Sequence, residues 1–491
     1  MTPRYLRPWH FVAAAVARLC WFAYFHHLHG GVPKGMRDGA FILDTQSYLG
    51  SIESLLAGTG YDPDLRMPGY GMPYLLLRLV MDRGSAITGM ILLNLLSGIL
   101  SSVLLASLTF LLTGRRRIAN TVFVLYLLVP FVVEYDHQLL TESLATSTLI
   151  ACAWSLARWR QQQCNGLLVL AGILFCWSVF LRPVSGALLP VFLLVVWSVN
   201  GEAASVRLRR AVLFALPFVV AETAWVARNW TVHRAFRPLT NGFWEKSISE
   251  NPVFPITRFV MSYGGYYVFW DPEGDINWFM DRPDGRDGTI APAPPDDPRI
   301  PEAILCPSFD RDSLELIARD YHRMAYGGVS PAVADSLRRE VALRADRYRE
   351  AFERERPWQY HVVARWRSLK RFIVHSGTER VFSRAYENMG GVARALKILW
   401  AALFVGSVIG GLFWSLWSLF RARTVFDRLV PAMVLIGVLI YPVGFRLIEY
   451  RYIVATWPFA LVMAAIGTGQ LADRWFRRSS SSRDRSIDAG G

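Results

Sequence analysis

The sequence predicts an all-α integral membrane protein with about ten transmembrane helices (range about nine to twelve), and three observations lead there. Apolar runs of roughly 18 residues or more, long enough for a helix to cross a ~30 Å hydrocarbon core, recur along the chain. Of the 491 residues, 53% are hydrophobic and 13% aromatic while only 19% are charged, a balance too apolar for a soluble domain. Arginine clusters fall between alternate apolar runs, as expected of loops retained in the cytoplasm.

Taken in order, the runs centre on 10–28, 87–112, 119–134, 139–156, 166–181, 184–199, 211–227, 393–419, 428–444 and 450–471, with only Arg182-Pro183 dividing the fifth from the sixth. With the N-terminus inside, every cytoplasmic connection is basic: Arg4 and Arg7, Arg115 to Arg117, Arg158 and Arg160, Arg207, Arg209 and Arg210, Arg421, Arg423 and Arg428, and the tail from Arg474. The short loops on the other side carry basic residues only at helix ends, namely Arg182, Arg446 and Arg451. Membrane orientation therefore accounts for the net charge of +14, and no nucleic-acid partner is needed to explain it. This topology places both termini in the cytoplasm and suits a multi-pass protein of a bacterial inner (plasma) membrane. Arg18 interrupts the first apolar run and no small-residue cleavage site follows, so that run is expected to be an uncleaved helix rather than a signal peptide.

The chain divides into an N-terminal membrane module over 1–228 that includes an outer loop over 30–86, an extracytoplasmic loop domain over 229–390, C-terminal membrane helices over 391–473, and a disordered basic tail over 474–491. In the outer loop, Tyr48, Ile52, Leu55 and Leu56 recur at helical spacing after Asp44, which predicts a short amphipathic helix lying on the bilayer surface. A second is expected from Pro73 through Leu77 to Val80. In the loop domain, the stretch from Asp271 to Pro307 is rich in Pro, Gly and Asp and reads as a loop. After it, Leu314, Ile317, Tyr321 and Met324, then Val333, Leu337, Val341, Tyr348 and Phe352, mark two or three amphipathic helices laced with Glu and Arg. The five cysteines show neither a disulfide framework nor metal-ligand spacing.

The polar cluster of the outer loop carries the functional signal. Asp44-Thr45-Gln46-Ser47-Tyr48 is followed about twenty residues later by Arg66-Met67-Pro68-Gly69-Tyr70, so a carboxylate and a guanidinium are held at a membrane face, where ionisable groups are costly unless used. A carboxylate in a partly desolvated pocket suits a general base for an acceptor hydroxyl. Arginine's planar fork suits phosphate oxygens, and Arg66, Arg182, Arg228, Arg446 and Arg451 all map to the outer edge. No Gly-rich phosphate loop for a nucleotide is present. Each residue also has a plainer role open to it. Asp44 suits a helix N-cap; Arg182, Arg228 and Arg446 suit helix-end arginines that reach for the interface; Arg451 suits a structural ion pair with Glu449. Asp62-Pro63-Asp64 reads as a turn rather than a metal-binding pair, and His26, His27 and His29 as interfacial polar residues, so no metal is supported.

The order Asp44 and Tyr48, Arg66-x-Pro68-Gly69-Tyr70, Leu140-Thr141-Glu142-Ser143, Leu181-Arg182-Pro183, Trp225-x-x-Arg228-Asn229, and Glu449-x-Arg451-Tyr452 with Pro458 resembles the polytopic glycosyltransferases called GT-C. Within them the chain is most similar to the bacterial branch related to dolichyl-phosphate-mannose protein mannosyltransferases and the lipid A aminoarabinose transferase. The resemblance implies transfer of a sugar from a polyprenyl-phosphate donor to an acceptor hydroxyl on the outer side, with inversion. It assigns the catalytic aspartate to Asp44 and the second carboxylate to Glu142, with Glu134 and Asp136 as rival acidic positions. It places Tyr48, Arg66, Tyr70, Arg182, Arg228, Glu449, Arg451 and Tyr452 at the substrate site. A phosphate ester leaves without protonation, so one base suffices. The partners expected are the bilayer, the lipid-linked donor and a glycan, lipid or protein acceptor. A transporter or flippase for a lipid-linked sugar is the alternative from another class; such proteins tend to pair halves around broken helices at the midplane, whereas here the ionisable residues gather at one interface.

Overall fold

The computed structural model describes residues 5–42, 44–63, 66–199, 202–239, 252–268, 274–280, 300–374, 381–382, 386–422, 424 and 426–488. Asp64, Arg423 and much of the stretch from Asp271 to Pro307 lie outside them. The described chain is almost wholly helical, and by internal contacts it forms two units.

The first unit takes in 1–241, 376–438 and 453–491. It opens with α1 (Pro8–Leu28), then a two-residue hairpin of β1 (Met36–Arg37) and β2 (Ala40–Phe41). Asp38 and Gly39 make its turn with φ of 51° and 77°, the left-handed pair that matches the twist of a hairpin. A π-helical turn at Gln46–Gly50 leads into α2 (Ser51–Leu56), followed by α3 (Gly71–Arg78) and α4 (Arg83–Thr113). Asp82 caps α4 by accepting from the Ser85 amide at 3.1 Å, and Gly114 closes it in the left-handed region. α5 (Arg116–Leu128) breaks at Val129, which Pro130 holds extended, and the short α6 (Pro130–Val133) continues into a 3₁₀ turn at Glu134–His137. Then come α7 (Glu142–Gln162), α8 (Asn165–Leu181), α9 (Leu189–Trp197) and α10 (Ala204–His233).

The second unit, 242–375 and 439–452, contains α11 (Val253–Ser262), α12 (Asn277–Met280), α13 (Arg311–Tyr326), α14 (Pro331–Glu355) and α15 (Ala364–Val374), the last preceded by a π-helical turn at Gln359–Val363. Its core gathers Phe259, Phe279, Leu314, Ile317, Val341 and Phe352. The amphipathic pattern expected here falls on α13 and α14, except that Val333 is exposed. The chain then returns to the first unit with α16 (Gly391–Arg421), α17 (Leu429–Leu439), whose π-helical extension Ile440–Phe445 belongs to the second unit, and α18 (Trp457–Asp488). α18 thus takes in backbone that the sequence marks as tail.

In the first unit α7 packs against both α4 and α8 and is buried on nearly every face. Several of its hydroxyls turn back onto the helix: Thr146 and Thr148 donate to the carbonyls of Glu142 and Leu144, each at 2.8 Å. Helices close on glycines where they must. A Cβ on Gly172 would stand 2.2 Å from the Phe214 carbonyl of α10, and one on Gly411 2.6 Å from the Ala460 carbonyl of α18.

Among the described residues five helical stretches are long and apolar enough to cross a membrane: α1, α4, α10, α16 and Phe426–Phe445. The bent pair Arg116–Leu128 and Pro130–His137, broken by 53°, makes a sixth if it acts as one span. The other expected crossings fall on α7, which is rich in Ser and Thr and enclosed by neighbours, on α8 and Pro183–Trp197, which are shorter, and on α18, which starts only at Trp457. An enclosed helix meets protein on all sides and needs no continuous apolar surface, so hydropathy alone does not mark it.

Candidate functional site

In the first unit, the chain between α1 and α4 is tied down at several points by backbone. The Leu139 amide donates to the Lys34 carbonyl at 3.1 Å, and the Thr45 hydroxyl donates to the Leu139 carbonyl at 3.0 Å. The Gly69 amide donates to the Phe180 carbonyl at 3.2 Å, while the Trp177 indole donates to the Gly69 carbonyl at 3.0 Å. Glycine is required there because a Cβ would lie 2.4 Å from the Phe180 carbonyl carbon. These ties bring three chain segments together: the loop holding Asp44 to Tyr70, the start of α7 with Glu142, and the end of α8 with Arg182.

Two carboxylate–arginine pairs result. Asp44 Oδ1 meets Arg66 Nη2 at 2.5 Å, with the Asp44 side chain 27% exposed. Glu142 Oε1 meets Arg182 Nη2 at 2.7 Å, with the glutamate only 2% exposed. Arg182 sits just past α8, where Pro183 forces it extended, and its Nε also lies 3.4 Å from the Thr141 hydroxyl. Between the pairs stand two tyrosines. The Arg66 guanidinium lies over the Tyr48 ring at 5.4 Å, and Tyr48 meets Tyr70 edge to face at 5.7 Å. Tyr70 is fully buried, and its hydroxyl accepts from Asn94 Nδ2 at 3.3 Å. Burial pushes the Tyr70 phenol well above its ordinary range, and the Glu142 carboxylate adds to the rise against the opposing bond from Asn94. Tyr70 therefore stays a neutral hydroxyl at ordinary pH.

Asp44 and Thr45 lie already within the helical turn that leads to Tyr48, and the Asp44 carboxylate meets Arg66 from there. Of the apolar stripe expected after Asp44, Tyr48 and Ile52 are buried whereas Leu55 and Leu56 are exposed. Arg228 is engaged elsewhere in this unit. Its guanidinium donates to the Tyr61 carbonyl and, at 2.9 Å, to Asn229 Oδ1, and it lies over the rings of Tyr61 and Trp225. It anchors the far end of the loop to α10.

Glu449, Arg451 and Tyr452 belong to the second unit. Arg451 Nε lies 2.8 Å from Glu449 Oε2, and Tyr452 stacks on Tyr441 at 4.9 Å. The structural ion pair weighed for Arg451 is therefore present. Arg446 in the same unit covers the Tyr360 ring at 3.9 Å and donates to the Tyr360 carbonyl at 3.0 Å.

The rival acids have settled partners. Glu134 accepts from Gln138 Nε2 at 3.2 Å. Asp136 forms a pair with Arg18 at 2.8 Å, both side chains at 0% exposure, and also accepts from the Ser143 hydroxyl at 2.6 Å. Ser102 takes the remaining side of Arg18 at 3.1 Å, and Gly98 leaves the room, since a Cβ there would lie 2.8 Å from Asp136. The pattern of residues marks Arg18 as an interruption of an apolar run but not its partner 118 positions away. Asn94 was likewise missed, although an amide within an apolar helix is the kind of signal that could have found it. His26 Nδ1 lies 3.1 Å from His137 Nε2, yet among the described residues no group of three His, Cys, Asp or Glu is arranged to hold a metal ion. Compared with protein-family models, curated proteins and solved structures, the chain matches none.

Proposed function

We propose that this chain is a membrane glycosyltransferase of the GT-C architecture, which moves a sugar from a polyprenyl-phosphate donor to an acceptor hydroxyl on the extracytoplasmic face of a bacterial inner membrane. The observation that carries this reading is the meeting, in one unit, of Asp44–Arg66 and Glu142–Arg182 about Tyr48 and Tyr70. An arginine has five donors, so one that holds a carboxylate on one edge still offers others to phosphate oxygens. Asp44, the more exposed of the two acids, is the base that takes the acceptor's proton as its oxygen attacks the anomeric carbon. Glu142, held by Arg182, positions donor or acceptor. Tyr48 and Tyr70, both buried, back the site: Tyr48 seats the Arg66 guanidinium on its ring, and Tyr70 supports Tyr48 edge to face.

The test is to incubate the purified full-length protein with a panel of polyprenyl-phosphate sugars and an acceptor mixture and to follow loss of sugar from the carrier by mass spectrometry. Asp44→Asn keeps shape and size but cannot accept the proton, so it should fold, bind donor, and transfer about 10²–10⁴-fold more slowly. Glu142→Gln should fall less. Near-normal transfer by Asp44→Asn ends the base assignment. The buried Arg18–Asp136 pair gives some weight to a transporter, since ion pairs inside spans often line pathways. Movement of intact lipid-linked sugar across proteoliposomes, with no loss of sugar, selects that reading instead.

A further inference from the structure

The π-helical turn and α15 of the second unit form one helical stretch whose two faces differ sharply. Ala364, Ser368 and Phe372 are buried at every fourth position. On the opposite side Trp358, Val362, Trp366 and Val374 are exposed, with each tryptophan 65% open. Two open tryptophans with Val362 between them make a contiguous apolar face of the kind that marks a membrane or partner contact. The segment from Pro357 to Val374 also carries Arg365, Arg367, Lys370 and Arg371 and no Asp or Glu. Asp275 matches one of those charges, through Arg371 at 2.8 Å. Among the described residues no carboxylate pairs with the other three.

The position of this helix supplies the occupant. Arg365 Nε donates to the Val443 carbonyl at 3.0 Å, which ties the stretch to Ile440–Phe445, where Val443 and Phe445 are themselves exposed. That tie falls at the last turns of Phe426–Phe445, a segment long and apolar enough to cross a membrane. The end of a span is where headgroups lie, and where Trp and basic side chains concentrate. A helix with Trp on one face, an excess of cations and no acids is the composition of an interfacial anchor.

We propose that the face bearing Trp358, Val362 and Trp366 lies in the bilayer surface and that Arg365, Arg367 and Lys370 favour anionic headgroups there. The inference rests on the membrane reading given above, and it is independent of the sugar chemistry. It holds the second unit at headgroup depth.

The experiment uses the full-length protein carrying the photoreactive residue p-benzoylphenylalanine at Trp358 or Trp366, in nanodiscs of phosphatidylcholine alone or mixed with phosphatidylglycerol, with adducts identified by mass spectrometry. Leu96 and Phe413, exposed on candidate spans, serve as positive sites, and Leu343, exposed on α14, as the aqueous site. Positions 358 and 366 should give lipid adducts several-fold above Leu343, with phosphatidylglycerol over-represented relative to its share of the bilayer. Arg367→Gln with Lys370→Gln should bring that bias back to the bulk ratio while the adducts persist. Adducts at Leu96 and Phe413 but none at 358 and 366, or cross-links from 358 and 366 to a second polypeptide, overturn the proposal. A bias unchanged by the double substitution overturns the headgroup role of the cations. Absence of lipid adducts at Leu96 and Phe413 as well sinks the membrane reading and the proposal together.

Discussion

Arg18 and Asp136 face each other with no water-exposed surface, so their attraction is set against the full cost of removing both charges from water. The asymmetry this creates is testable. Arg18→Met or Asp136→Leu alone leaves a buried charge without its partner and should cost about 3–5 kcal/mol. The double substitution removes both charges and should recover most of that loss. Thermal unfolding of the three variants in detergent measures it, and strictly additive losses would show that the pair is not coupled. Glu142–Arg182 is nearly as enclosed, whereas Asp44–Arg66 is partly open and contributes less to stability, which leaves Asp44 the freer of the two acids to act on a substrate. Which acid meets which arginine was only partly legible beforehand. Asp44, Arg66, Glu142 and Arg182 stand out by residue type and place, but pairing depends on how Gly69 docks on Phe180, and no local pattern encodes that.

At the scale of elements, α2 and α3 are joined through one side chain. Glu53 accepts from the Tyr74 hydroxyl at 2.5 Å and from Arg78 Nε at 2.8 Å. Burial works to raise the Glu53 carboxyl, but the bonds from Arg78 and Tyr74 outweigh it and leave the group below its usual range. A depressed carboxyl stabilises fully above its unfolded value of about 4.3 and loses that contribution as pH falls through the folded value. Hydrogen-exchange protection of 51–56 and 71–78 should therefore decline as the medium is taken from about pH 6 to pH 3, and Glu53→Gln should lack that decline. A variant that follows the wild-type curve would place the pH sensitivity elsewhere. Gly69→Ala probes the other tie of the same loop. Its methyl meets backbone rather than a flexible side chain, so the loop must lift from α8 at a cost of about 1–3 kcal/mol, read as a lowered midpoint of unfolding. The sequence shows both helices near their observed places, α3 as Gly71–Arg78 against an expected Pro73 to Val80, because helical spacing is a local property. The buried and exposed sides of α2 were harder to read, since the π-helical turn at Gln46–Gly50 shifts the phase between Tyr48 and Leu55.

For the whole molecule, the arginine-rich connections predict a defined sidedness. Single cysteines at Gly58 and at Glu350 should react with a membrane-impermeant thiol reagent in spheroplasts, and one at Arg116 should react only after the membrane is opened. The reverse pattern would invert the orientation and remove the argument for an extracytoplasmic donor. The helical class was legible from apolar runs, and six of them reappear as stretches long and apolar enough to cross a membrane: α1, α4, α5 with α6, α10, α16 and Phe426–Phe445. The run read over 139–156 falls on the enclosed α7, and the last run, read from 450, gives a helix only from Trp457, after the polar turn around Glu449 to Tyr452, which a running average over residues blurs. The buried pair of α1 also sets an order in time. If the chain enters a bilayer segment by segment, Arg18 arrives on the first helix at a cost of about 2.5–3.5 kcal/mol with nothing to neutralise it. Its counter-charge is synthesised 118 residues later. The first helix should therefore linger beside the insertion machinery, and ribosome-bound chains cut off before Asp136 should leave it extractable while longer ones lock it in place.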